Sequence, residues 1–311
     1  MADRARTIFL GSGPFALPAL LELTGSPVIE LAGVVTAPAR PSGRRGQLRR
    51  TPVAEAAAGS STSILEPRSL RDRETLGELT ALEPDLIVLA DYGRLVPRNV
   101  LELPRHGALN LHPSVLPRHR GASPVAAAIL SGDRETGVTL MRMDEGLDTG
   151  PIVAQVRLAL HGDEVAPELE ARLAGMAAAL LGETLPAWLD GLIEAVPQPA
   201  DGATLTRPLR REDARLDATR GAVELERQVR AYQPWPGSFV EQDGTRLIVW
   251  KATAVAPAES DIAAPPAAGA LVPVDDGVAL VTVSGWLRLD EVQPAGGRRM
   301  SGAAYRHGRP M

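Results

Sequence analysis

Short apolar runs alternate with amphipathic segments through the first half of the chain. Thr7–Leu10, Val28–Thr36, Ile64–Leu65, Asp85–Ala90 and Ala108–His112 read as strands. Phe15–Leu23, Pro52–Ala58 and Leu70–Leu82 read as the helices between them. Strands separated by helices imply crossover connections. The pattern therefore predicts an α/β unit, an open Rossmann-like and mostly parallel sheet with helices on both faces. Val138–Met143 and Ile152–Leu160 add a strand pair. Val165–Leu189 follows as a long helix with Leu169, Leu173, Met176, Leu180, Leu181 and Leu185 along it.

The pattern changes after Asp190. Pro197-Gln198-Pro199-Ala200-Asp201-Gly202 reads as a linker. Beyond it lie one helix, Ala222–Tyr232, and short candidate strands at Ser238–Gln242, Arg246–Ala254, Ala270–Val274, Val278–Val283 and Trp286–Leu289. Short strands punctuated by turns predict a smaller C-terminal OB-like β-barrel domain. The expected division is a catalytic domain over residues 1–190, a linker over 191–206 and the barrel over 207–311. The Ala/Pro-rich stretch Ala254–Ala268 reads as a loop within it.

Composition narrows the chemistry. The 311 residues carry a net charge of -5, and cysteine is absent, so disulfides, thiolate metal sites and thiol nucleophiles are excluded. Gly11-Ser12-Gly13-Pro14 breaks the apolar N-terminal stretch, and no run is long enough to span a membrane. The expectation is a cytoplasmic protein that works as a monomer without membrane or metal. Lys251 is the only lysine, so the basic residues are almost all arginine.

Gly11-Ser12-Gly13-Pro14-Phe15-Ala16 fits a dinucleotide-binding turn between strand and helix. That motif also wants an acid about 20 residues on, at the end of the second strand. This strand ends Gly33-Val34-Val35-Thr36, which disfavours NAD. More informative is Asn110-Leu111-His112 at the end of a strand. Residues two apart share one face, so the amide and the imidazole lie side by side where open α/β sheets bind ligands. Asp144-Glu145-Gly146-Leu147-Asp148-Thr149-Gly150 is a glycine-bounded acidic loop whose spacing is not that of a Ca²⁺ loop. One of its acids could orient an imidazole.

Together these segments resemble the folate-dependent formyltransferase family. The likeness rests on Asn110-Leu111-His112, on Ser114-Val115-Leu116-Pro117 with Arg120-Gly121, and on Gly146-Leu147-Asp148-Thr149-Gly150. It implies a catalytic set of Asn110, His112 and Asp148, and a 10-formyltetrahydrofolate site lined by Ser114, Val115, Leu116 and Pro117 with Tyr92 and Gly93. Asn110 and a protonated His112 are expected to face the developing oxyanion. Asp148 is expected to raise the His112 pKa and fix its tautomer. Three further segments, Thr36–Arg44, Leu209–Leu216 and Arg230–Gly237, are similar to the members that formylate the methionine of a charged initiator tRNA for translation initiation. Some positions depart from the pattern. Gly13-Pro14 replaces a usual Pro-acid pair, Ala39 a usual Asp, Arg45 a usual Gly, and Asp91 a usual Ala.

A tRNA partner needs local positive charge on an acidic chain. From Leu31 to Ala54 there is no acid, while Arg40, Arg44, Arg45, Arg49 and Arg50 cluster there. Pro294–Met311 carries Arg298, Arg299, Arg306 and Arg309, again without an acid. Such clusters suit phosphate contacts, and Arg298 and Arg299 join the first group as expected tRNA contacts. The alternative reading is an N-formyltransferase that acts on sugar amines with the same donor. A non-catalytic RNA-binding module is a rival of another class, opposed by the complete Asn-His-Asp set.

Overall fold

The computed structural model describes residues 4–42, 46–60, 62–242, 244–257 and 266–308. Gly43, Arg44, Arg45 and Arg309 lie outside them, as does the middle of the Ala/Pro-rich stretch, residues 258–265. The chain divides into two compact units. The first comprises Met1–Pro124, Glu135–Ala159 and Glu170–Arg207; the second comprises Val125–Arg134, Leu160–Leu169 and Pro208–Met311.

Strands β1 (Ala5–Gly11), β2 (Ile29–Val35), β3 (Arg40–Ser42), β4 (Gln47–Arg49), β5 (Ser63–Leu65), β6 (Leu86–Ala90), β7 (Ala108–His112), β8 (Arg120–Gly121), β9 (Glu135–Arg142), β10 (Ile152–Ala159) and β11 (Leu205–Thr206) belong to the first unit. Seven of them form one sheet in the order β10-β9-β7-β6-β1-β2-β5. β5, β2, β1, β6 and β7 run parallel, and β9 is antiparallel to both its neighbours. Every residue of β6 is buried, as a central strand covered on both faces requires. Helices α1 (Leu17–Gly25), α2 (Pro52–Ala57), α3 (Arg73–Ala81), α4 (Arg98–Leu101), α5 (Pro124–Ser131) and α6 (Ala166–Leu189) lie between and after the strands. Leu79 of α3 packs with Ile8, Leu10, Ile87 and Leu89 in one apolar cluster. At α2, Pro52 opens the helix and the Thr51 hydroxyl caps it by accepting the Ala54 N–H at 3.0 Å.

The glycines of the Gly11–Pro14 turn are there for close packing. A Cβ on Gly11 would come within 2.9 Å of both the Ala90 carbonyl and the Ala16 methyl. One on Gly13 would meet the Asp91 carboxyl. Residues 191–206 are tied to the first unit: Val196 bridges Ile152, and β11 pairs in parallel with β8.

In the second unit, α7 (Ala222–Ala231) precedes β12 (Phe239–Gln242), β13 (Thr245–Val255), β14 (Leu271–Val274), β15 (Gly277–Val281), β16 (Trp286–Pro294) and β17 (Met300–Ser301), and α8 (Gly302–His307) follows them. The six strands form one antiparallel sheet in the order β12-β13-β16-β15-β14, with β17 on β16. β12 and β14 do not pair among the described residues, so the expected barrel is an open half-barrel. Its core joins Leu225 and Val229 of α7 to Leu247, Val249, Leu280, Leu287, Leu289 and Val292 of the sheet. This amphipathic packing is what the alternating pattern predicts.

Candidate active site

Asn110 and His112 project from one face of β7, while Leu109 and Leu111 are buried on the other. β9 runs antiparallel to β7 with His112 opposite Thr139 and Leu109 opposite Arg142. The acidic loop thus leaves β9 at the far end of the ladder from His112, and Asp148 returns across that distance. Its Oδ2 lies 3.6 Å from His112 Nδ1. The loop is stitched so that it can do this. Asp144 accepts the Gly146 N–H at 3.0 Å and the Thr149 hydroxyl at 2.7 Å. Asp148 itself has φ 52°, in the left-handed region.

Asp148 is also held by residues distant from it in the sequence. The Gly121 N–H donates to Oδ2 at 2.7 Å. Gln198, read as linker, donates its amide to the carbonyls of Asp148 and Gly150, both at 2.8 Å. Arg120 in turn donates to Gln198 Oε1 at 2.7 and 3.1 Å. No spacing in the sequence links Gln198 to a loop 50 residues earlier, so only the fold reveals it.

His112 is buried, and its Nε2 lies 2.9 Å from the carbonyl oxygen of His119. A carbonyl only accepts, so Nε2 carries the proton and a neutral ring leaves Nδ1 unprotonated toward Asp148. The tautomer is therefore set by the His119 carbonyl and not, as expected, by the carboxylate. Burial is the largest influence on the ring and pushes its pKa below the ordinary 6.5, while Asp148 and the His119 carbonyl pull upward without prevailing. Burial thus favours a neutral imidazole in the free site. Asn110 is half-buried, and its carboxamide makes no hydrogen bond among the described residues. Its N–H donors are available to a ligand.

The Ser114–Pro117 segment is rigid. The Thr139 hydroxyl donates to the Ser114 carbonyl at 2.7 Å and accepts from the Leu116 N–H at 3.1 Å and from Gln155 at 2.8 Å. The Ser114 hydroxyl is spent on the Arg118 carbonyl at 2.6 Å, and the Leu116–Pro117 peptide is cis. Ser114 and Leu116 are buried, whereas Val115 and Pro117 are partly open. Tyr92 is buried in the core cluster beside β6, and Gly93 next to it is exposed. Of the expected phosphate contacts, Arg40 and Arg49 face each other across the β3–β4 ladder. Arg50 pairs with Glu66 at 3.4 Å. Arg298 is exposed, and Arg299 stacks 3.5 Å over the Trp250 ring.

A neutral, oriented imidazole with a carboxylate behind it, beside an unspent amide, can move a proton while steadying an oxyanion. That is the equipment of acyl transfer to a nitrogen nucleophile. Residues 5–185 match the family described as formyl transferase, and residues 208–310 match its C-terminal domain. The chain belongs to the formyl transferase family. It is 41% identical over 312 residues to the methionyl-tRNA formyltransferase of Myxococcus xanthus, covering 99% of this chain and 96% of that protein. Among solved structures, it resembles the N-formyltransferase of Helicobacter canadensis in complex with folinic acid and dTDP-3-aminofucose, with TM-score 0.67 and 15% identity over 95% of this chain and 100% of that one. It also resembles HypX of Aquifex aeolicus in complex with tetrahydrofolic acid, with TM-score 0.62 and 17% identity over 97% of this chain. The chain spans 47% of HypX, about half its length. Likenesses at this level of identity establish the fold. No helix among the described residues is long and apolar enough to cross a membrane.

Proposed function

We propose that the enzyme transfers the formyl group of 10-formyltetrahydrofolate to the amine of methionyl initiator tRNA, as a cytoplasmic monomer. The observation that carries this reading is the 41% identity, over nearly the full length of both chains, to a protein of that name. The sugar-amine alternative rests on likenesses in fold at 12% to 21% identity. The facing pair Arg40 and Arg49 favours a polyanionic acceptor, because like charges opposite each other in a ladder repel until an anion lies between them.

His112 carries the proton in this reading with the Asp148 carboxylate beside it, and Asn110 faces the developing negative charge. The amine attacks the formyl carbon, and its nitrogen sheds a proton as the bond forms. His112 takes that proton on Nδ1 and becomes an imidazolium between the Asp148 carboxylate and the His119 carbonyl. Asn110 donates to the oxyanion, a contact worth about 3 kcal/mol in such sites. His112 then returns the proton to the folate nitrogen as the carbon–nitrogen bond breaks. Val115, Pro117 and Gly93 are the accessible parts of the donor pocket. Arg40, Arg49, Arg298 and Arg299, with Arg44 and Arg45 from outside the described residues, serve the tRNA backbone.

The test is retention of a radiolabelled formyl group on methionyl initiator tRNA, run beside nucleotide-linked amino sugars. Label on the tRNA alone is the expected result. Label on the sugar alone overturns the reading.

A further inference from the structure

The loop that carries Asp148 has little to pack against. Asp144, Glu145, Gly146, Leu147 and Thr149 are exposed, whereas the Asp148 side chain turns inward and is 14% exposed. Asp148 also holds φ 52°, a left-handed conformation that a residue other than glycine adopts at a cost. Hydrogen bonds rather than apolar burial therefore fix its backbone. Within the loop, Asp144 ties Gly146 and Thr149 and stops short of Asp148. The carbonyls of Asp148 and Gly150 are both held by one side chain, Gln198, with Nε2 at 2.8 Å from each.

Gln198 is itself prearranged. Two residues before it, Val196 exchanges both backbone hydrogen bonds with Ile152, at 2.7 and 2.8 Å. Pro197 and Pro199 restrict the chain on either side. Arg120 donates to Oε1 from Nε at 3.1 Å and from Nη2 at 2.7 Å. A guanidinium only donates and a carbonyl only accepts, so the amide faces one way: oxygen to Arg120, nitrogen to the loop. Gly121, next to Arg120 in β8, supplies the N–H on Asp148 Oδ2. Asp148 is thus gripped at its carboxylate by Gly121 and at its backbone by Gln198, with β8 behind both contacts.

Resting on the mechanism given above, we propose that Gln198 is a positioning residue for formyl transfer, clamping the Asp148 backbone so that Oδ2 stays 3.6 Å from His112 Nδ1 while the ring gains and loses its proton. Gln198 acts through Asp148. The titratable groups that face His112 are Asp148, which raises its pKa, and His119, whose charge lowers it. A carboxylate released toward water would lose most of its hold on the imidazolium, because the attraction falls with distance and with solvent.

Gln198→Met and Gln198→Glu test this in the full-length enzyme. The first keeps the length and volume of the side chain without its hydrogen bonds. The second keeps a partner for Arg120 but turns an acceptor toward the two carbonyls, which separates the clamp from simple attachment of this segment. Both should lower kcat on methionyl-tRNA by about tenfold or more, with KM and 10-formyltetrahydrofolate affinity unchanged. In Gln198→Met the His112 titration, followed by NMR in the free enzyme, should move to lower pH, as in Asp148→Asn. Within an Asp148→Asn background, Gln198→Met should cost less than about twofold more. A wild-type rate in Gln198→Glu, or an unmoved His112 titration in Gln198→Met, overturns the inference. So does a loss of equal size with and without the Asp148 carboxylate, which would make Gln198 a general structural contact. The titration needs no acceptor, so a wild type that fails to formylate methionyl-tRNA overturns the acceptor reading alone.

Discussion

His112 Nδ1 and Asp148 Oδ2 are 3.6 Å apart, just beyond a direct hydrogen bond, and Oδ2 instead receives the Gly121 N–H at 2.7 Å. The carboxylate is therefore fixed by the backbone and waits beside an unprotonated nitrogen. In the proposed mechanism it contributes most once His112 has taken a proton.

Asp148→Asn should accordingly lower the single-turnover rate by about a hundredfold, within the range for loss of a charge partner of a proton-transfer group. Asp148 is an influence that raises the His112 pKa, so removing it lets burial push the ring further down. The acid limb of the rate profile should therefore move to lower pH. A limb that moves upward would show that Asp148 acts otherwise.

Much of this was legible in the chain, and the omissions share a cause. The Asn110–His112 pairing follows from the period of a strand, and the parallel core follows from strands separated by helices. The His112 tautomer was not legible, because it depends on the carbonyl of His119, seven residues on, beyond a turn that places this residue at φ 58°. The β3–β4 pairing was not legible, since the three-residue strands Arg-Pro-Ser and Gln-Leu-Arg carry no hydrophobic alternation. Gln198 was hidden by its two flanking prolines. Helix α8 was missed because it is six residues long and its Ser301 cap is visible only as a contact with the Ala304 N–H.

Thr139 is a hub with one outgoing and two incoming hydrogen bonds in a buried setting. Thr139→Val keeps the shape and leaves the Leu116 N–H and the Ser114 carbonyl unpaired. It should destabilise the protein by about 2 kcal/mol, seen in denaturant unfolding, and weaken folate binding. An unchanged folate Kd would mean that the Ser114–Pro117 segment does not depend on this anchor.

Arg40→Ala with Arg49→Ala should leave folate affinity intact and raise KM for methionyl-tRNA. Two lost phosphate contacts should make the plot of log affinity against log salt shallower by about 1.5. The same variant should also gain slightly in stability, because a facing like-charge pair is relieved. An unchanged salt slope would assign the hairpin to structure alone.

Stability should depend on pH through His112 as well. Its folded pKa lies below its unfolded one, so beneath pH 6.5 the unfolded chain binds the proton first and stability falls as pH drops. His112→Asn should flatten that acid-side loss in urea titrations between pH 7 and 5. A loss of the same size in the variant would place the responsible group elsewhere.

The most direct test of the whole account is single-turnover formylation of methionyl initiator tRNA, with enzyme in excess, comparing the wild type and His112→Asn. The account predicts label transfer by the wild type and a rate at least about a hundredfold lower in the variant, with 10-formyltetrahydrofolate still bound at similar affinity. A variant rate within about threefold of wild type would remove His112 from the proton path and contradict it.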